Sequence, residues 1–190
     1  MSDLPIIAIT LGDVTGIGPE VVAKALAHPE IYELCRPLVI GDSRVFTDPK
    51  FAAPLPALEI ASSAEAVPTR SAWPSTPGSV VLLDLHNLAP EDVAMGRLSP
   101  VAGRAAVEYV LEATELALAG AVDAIATAPL NKEAMRLAGY DYIGHTEILA
   151  EVTETARCTT MLATPGLRVT HVTRHIPFRE IAGRITTARI

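Results

Sequence analysis

Four short stretches carry the side chains that could do chemistry. Lys132 sits in Ala128-Pro129-Leu130-Asn131-Lys132, and His145, Thr146 and Glu147 follow Gly144. Asp13 lies in the glycine-rich run Gly12-Asp13-Val14-Thr15-Gly16-Ile17-Gly18-Pro19-Glu20. His175 lies in Thr173-Arg174-His175-Ile176-Pro177. A lysine, a histidine and hydroxyls near one another suit an anionic, oxygen-rich ligand. The same residues admit a plainer reading, in which Lys132 is solvated, His145 caps a helix and Asp13 or Thr15 caps a turn. Residue types alone leave both readings open.

His171 and His175 are four apart, a spacing that on a helix would let both hold one metal ion. Val169, Thr170, Val172 and Thr173 around them favour a strand instead. On a strand four residues span about 13 Å, too far to share an ion with bonds of about 2 Å. At most one of the two is then a ligand. His175, at the strand end, is the better candidate, and His171 reads as structural.

The elements that must position these residues follow from apolar patterning. Pro5–Leu11 is a continuous apolar run, as expected of a strand buried on both faces. The glycine loop and a helix to about Ala27 follow, with Pro19 at the first helical position and Glu20 in the first turn. Gly16-Ile17-Gly18 begins a dinucleotide fingerprint, but the third glycine would fall at Val21, and no Gly-Lys-Ser/Thr follows. Leu38–Gly41, Leu58–Ala61 and Val80–Leu85 read as further strands, with Asp42 or Ser43 capping a brief helix and His86 solvated. Ser99-Pro100 opens the longest helix, which Gly120 closes. Its apolar face carries Val107, Val110, Leu111, Thr114 and Leu118, and Glu108, Glu112 and Glu115 read as a solvated face. Ala124–Ala128 is expected as a buried strand, stopped by Pro129. Asn131 then caps a helix from Lys132 to Ala138, which Gly139 ends. Lys132 thus follows the C-terminal end of a strand, where open α/β sheets bind ligands. Thr146–Thr153 is a short helix, and Thr159–Ala163 with Leu167–Thr173 is a hairpin turned at Pro165-Gly166. Alternation of strand and helix predicts an α/β fold with a mostly parallel sheet and flanking helices.

Composition narrows the function classes. With 49% hydrophobic residues in 190 the chain can bury a core. A formal net charge of −7 without a basic run argues against nucleic acid as partner. No stretch approaches the ~20 apolar residues of a membrane span, and no signal peptide is evident. Cys35 and Cys158 match neither a metal spacing nor a disulfide framework. They are expected reduced and buried, in a cytoplasmic protein.

Taken together, Gly12-Asp13 with Gly16–Glu20, Ala128–Lys132, Gly144–Glu147 and Thr173–Pro177 resemble the 4-hydroxythreonine-4-phosphate dehydrogenase (PdxA) family. The resemblance implies an isocitrate/isopropylmalate-dehydrogenase-like α/β fold and a homodimer. It implies an enzyme of pyridoxine biosynthesis that uses NAD and a divalent metal (Zn, Mg, Mn or Co). Such an enzyme oxidises the secondary alcohol of a small phosphorylated hydroxy acid, with decarboxylation following in some members. It implies that His145 and Thr146 bind substrate and that His175 is one metal ligand. Lys132 would pair with a substrate anion, and Asp13 would order its loop or a polar group. Many relatives carry Pro-Ala where this chain has Val14-Thr15, a departure that fits drift or a subgroup acting on a four-carbon sugar-acid phosphate. Relatives are also longer. Residues 1–190 are therefore expected to be the N-terminal portion of a two-domain dehydrogenase, incomplete here, with a crossover near 120–150 and the remaining metal histidines beyond it. Two alternatives stand beside this: an inactive remnant that binds a phosphorylated acid or mediates dimerisation, and a dihydrodiol dehydrogenase of the same fold.

Overall fold

The computed structural model describes residues 4–47, 57–74, 79–88, 91, 93–173 and 176–187. They form two compact units, Met1–Glu154 and Thr155–Ile190. Unit one holds a five-stranded sheet. Its strands are β1 (Ile6–Thr10), β2 (Arg36–Gly41), β3 (Ala57–Ala61), β4 (Ser79–Asp84) and β5 (Ala124–Thr127), in the order β3-β4-β2-β1-β5. Every pairing is parallel. The helices of this unit are α1 (Gly18–Leu26), α2 (Glu30–Leu34), α3 (Arg44–Thr47), α4 (Pro100–Leu118), α5 (Lys132–Leu137) and α6 (His145–Val152). The expected α/β architecture is what forms.

Central strands carry apolar side chains on both faces because helices cover both, so Leu38, Val39, Ile40, Val80, Val81 and Leu82 are all buried. β5 departs from expectation. Ala124, Ala126 and Thr127 are exposed and Ile125 is half-buried, where a buried strand was expected. The reason is its place in the sheet: among the described residues β5 pairs with β1 alone and forms the outer edge.

α4 has two working faces. Ala102, Ala105, Tyr109, Ala113 and Leu116 join the sheet core, a face of small residues that the apolar periodicity did not single out. Val107 and Val110 face away and form a second cluster with Met135 of α5 and Ile148 of α6. Leu118, expected on the apolar face, is exposed. Glu108 is not simply solvated, for its Oε2 accepts a hydrogen bond from Asn87 Nδ2. Where α4 meets α5 the helices touch backbone to backbone. Gly103 has no side chain because a Cβ there would collide with the Ala134 carbonyl.

Unit two contains an antiparallel hairpin, β6 (Met161–Thr164) and β7 (Leu167–Thr170), and a short helix α7 (Ile181–Arg184). The Pro165-Gly166 turn is as expected, with Gly166 at φ 81°. β7 ends at Thr170, so His171 lies past the strand and is exposed rather than structural. Cys158 is exposed and Cys35 half-buried, where both were expected to be buried. No helix among the described residues is long and apolar enough to cross a membrane.

Candidate active site at the edge between β1 and β5

The strand order fixes where a ligand crevice opens. The chain leaves β1 for β2 on one side, and α4 later carries it from β4 to β5 on the other side of β1. This reversal is a topological switch point, and ligands of open α/β sheets bind outside the strand ends there. The loops that begin at the C-terminal ends of β1 and β5 are those holding Asp13 and Lys132.

These loops are packed against each other. Gly12 adopts φ 64°, and a Cβ on it would strike the Pro129 and Ala128 carbonyls, so glycine is required twice over. The Asp13 amide donates to the Pro129 carbonyl at 2.9 Å. Asp13 is buried, and its Oδ1 accepts from the amide of Thr15 at 2.9 Å and from the Thr15 hydroxyl at 2.7 Å. The carboxylate thus orders its own turn.

Pro129 ends β5 and Asn131 starts α5. The Asn131 Oδ1 accepts from the Glu133 and Ala134 amides at 3.0 and 3.1 Å, a side-chain N-cap. Gly139 at φ 91° terminates the turn that follows. Lys132 opens the helix, is exposed, and makes no ion pair with the described residues. Met135 and Ile148, both fully buried against α4, hold α5 and α6 in place.

His145 and Thr146 begin α6, after Gly144, and both are half-buried. The His145 Nε2 is buried and has no hydrogen-bond partner among the described residues. Burial pushes its pKa below the ordinary imidazole value, and a hydrogen bond with the Ala128 backbone, which favours the protonated ring, opposes this without overcoming it. The ring is therefore neutral near pH 7. Asp13 and His145 accordingly meet consecutive residues of one turn, Pro129 and Ala128, with Lys132 just beyond. His175 lies outside the described residues.

The residue patterns did not single out one further polar cluster. At the ends of β2 and β4, Asp42, Asp84 and His86 bring ligand atoms within 4.8 Å of one another. Asp42 is fully buried and closed by Arg44, whose Nε and Nη2 reach its two oxygens at 2.8 and 2.6 Å, and by the Leu88 amide at 3.0 Å. Burial alone would raise the Asp42 pKa, but hydrogen bonds from the Arg44 side chain and from the Leu88 and Arg44 amides hold it below the usual carboxylate value. Asp84 Oδ1 accepts from the Ser43 and His86 amides at 3.1 and 3.0 Å. Both carboxylates are already taken, Asp42 by a guanidinium and Asp84 by the Ser43 hydroxyl and two amides, so the cluster does not fit a divalent ion. It locks two strand ends. Only Asp42 or Ser43, read as the cap of a brief helix, hinted at it in the sequence.

The fold and the crevice define an α/β protein of dehydrogenase type. A family model described as pyridoxal phosphate biosynthetic protein PdxA matches residues 33–190. A protein of Symbiobacterium thermophilum named as a D-threonate 4-phosphate dehydrogenase is 43% identical over the whole chain, which covers 55% of that protein. Its counterpart of the same name in Oceanobacillus iheyensis is 42% identical, with 56% covered. A crystal structure of a 4-hydroxythreonine-4-phosphate dehydrogenase from Burkholderia phymatum superposes with a TM-score of 0.85 at 41% identity, over 98% of this chain and 55% of that one. A terephthalate 1,2-cis-dihydrodiol dehydrogenase from Burkholderia xenovorans LB400 follows at a TM-score of 0.68 and 25% identity, over 98% of this chain and 53% of that one. The chain belongs to the PdxA family. It spans about half the length of the curated relatives it matches.

Proposed function

We propose that the complete protein is an NAD- and divalent-metal-dependent dehydrogenase acting on the secondary alcohol of a phosphorylated four-carbon hydroxy acid. D-threonate 4-phosphate is the first substrate to test and 4-phosphooxy-threonine the second. The observation that carries this reading is the convergence of Asp13 and His145 on Ala128-Pro129, beside the capped start of α5 at Lys132. The names of the relatives supply the substrate class.

In this reading Lys132 pairs with an anionic end of the substrate, its ammonium being uncommitted to any described carboxylate. Neutral His145 and the Thr146 hydroxyl hold substrate oxygens. His175 would be one ligand of the divalent metal, which would supply Lewis-acid activation of the alcohol, and NAD would supply the hydride acceptor. Further ligands and the NAD site would come from the part of the protein that relatives carry beyond this chain. Decarboxylation of the resulting keto acid, homodimer formation and a cytoplasmic location belong to the same proposal.

The test is NADH formation by the complete protein with each phosphorylated acid, its unphosphorylated counterpart and a divalent metal. Turnover with D-threonate 4-phosphate, lost on metal removal and weakened by Lys132→Ala, is expected. No turnover with either phosphorylated acid would refute the dehydrogenase reading and return the remnant alternative. Undiminished KM and kcat for the phosphorylated acid in Lys132→Ala would refute the anion role of Lys132.

A further inference from the structure

Asp13 is 4% exposed, yet among the described residues only one of its carboxylate oxygens is used. Oδ1 takes both bonds from Thr15, while Oδ2 takes none from the described residues. The Thr15 amide alone would close the turn. Its hydroxyl adds a second bond to the same oxygen, which fixes how the carboxylate is rotated rather than whether the turn forms. Thr15 is itself 4% exposed, and its carbonyl accepts from the Gly96 amide at 2.8 Å. The loop is thus clipped to the segment before α4 on one side and, through the Asp13 amide, to Pro129 on the other. Val14 between them is fully buried, so the loop cannot swing without opening the core.

We infer that Thr15 is a positioning residue of this site: by committing Oδ1 it leaves Oδ2 of Asp13 as the oxygen that accepts a hydrogen bond from a hydroxyl or ammonium donor of the substrate. The inference rests on the reading of the crevice as the site of a phosphorylated hydroxy acid. Oδ2 is not among the fully buried side-chain atoms that lack a partner, so a donor from outside the chain can reach it, and a hydrogen bond to the carboxylate is charge-assisted. A second anion would be repelled there, so Asp13 takes the donor-bearing carbons while Lys132 takes an anionic end. That opposition orients the substrate. The Val14-Thr15 pair marks this arrangement in the sequence.

The experiment compares Thr15→Val and Thr15→Ser with the unchanged complete protein. Thr15→Val is close to isosteric and removes only the hydroxyl, while Thr15→Ser keeps it. KM and kcat for D-threonate 4-phosphate, the KM for NAD, the melting temperature and amide hydrogen exchange at Thr15 and Gly96 are measured together. One charge-assisted hydrogen bond corresponds to roughly tenfold or more, so Thr15→Val should raise the KM for the acid about tenfold and leave the KM for NAD unchanged. Thr15→Ser should stay within about twofold. Exchange at both amides should quicken in Thr15→Val and not in Thr15→Ser. An unchanged KM for the acid in Thr15→Val, whatever its melting temperature, overturns the inference, as does equal impairment of the two variants. If the unchanged protein turns over no phosphorylated acid, the functional reading fails and the substrate role of Thr15 with it. The exchange rates then still decide whether the hydroxyl holds the loop.

Discussion

Replacing Gly103 by alanine tests the packing that holds Lys132 in place. In an open helix Gly→Ala stabilises, by roughly 0.5–1 kcal/mol, because alanine has less backbone freedom to lose. Here the added methyl would overlap the carbonyl and carbon of Ala134 and crowd the Met135 amide. All three are backbone of α5, and Ala134 and Met135 are fully buried, so no flexible side chain can yield. Overpacking against such neighbours costs about 1–3 kcal/mol. The net expectation is a loss of about 1–2 kcal/mol, the packing cost outweighing the propensity gain. For a protein of this size that lowers the melting temperature by roughly 2–8 °C. Thermal unfolding followed by circular dichroism measures it, and the sign decides. A Gly103→Ala protein as stable as the parent, or more so, would refute the backbone contact between α4 and α5 and with it the account of how Lys132 is positioned.

Two other perturbations read the same architecture. Asn131→Ala removes both cap bonds of α5 and should cost about 1 kcal/mol, with Asn131→Asp largely retaining stability; equal losses in a chemical denaturation series would count against the cap. Arg44→Met leaves buried Asp42 without its guanidinium and should cost on the order of 3 kcal/mol, the low end for a broken buried pair because Arg44 keeps 28% of its side chain exposed. The pH dependence has a definite sign. The Asp42 pKa is lowered in the folded protein, so its contribution is present above the unfolded carboxylate value of about 3.9 and fades as pH falls through the folded one. In Arg44→Met burial is left to dominate, and the acid limb of the stability curve should move to higher pH. An unmoved limb would mean that Asp42 does not depend on Arg44.

The site elements were legible in the sequence where the physics is local. Asn131 capping α5, the glycine after it, Pro19 in the first turn of α1 (which begins one residue earlier, at Gly18) and the Pro165-Gly166 turn are each set by backbone stereochemistry within a few residues. The parallel α/β class followed from apolar runs alternating with helical patterns. Burial was less legible, because it depends on what packs from elsewhere. The run 124–128 has the composition of a central strand, yet β5 lies at the sheet edge. The small-residue face of α4 looked like spacer until the sheet came up against it.

What the sequence determined by itself was the list of reactive side chains and the turns that present them. Tertiary structure decided which of them meet. Asp13 and His145 lie far apart in the chain, and only the adjacency of β1 and β5 brings them to Pro129 and Ala128. It also decided that Asp42 and Asp84 are spent on Arg44, Ser43 and backbone amides rather than left for a cation. Turn and helix preferences are local free energies that a short segment carries with it. Contacts between distant segments depend on strand order, and strand order is settled only by the burial that all the elements achieve together.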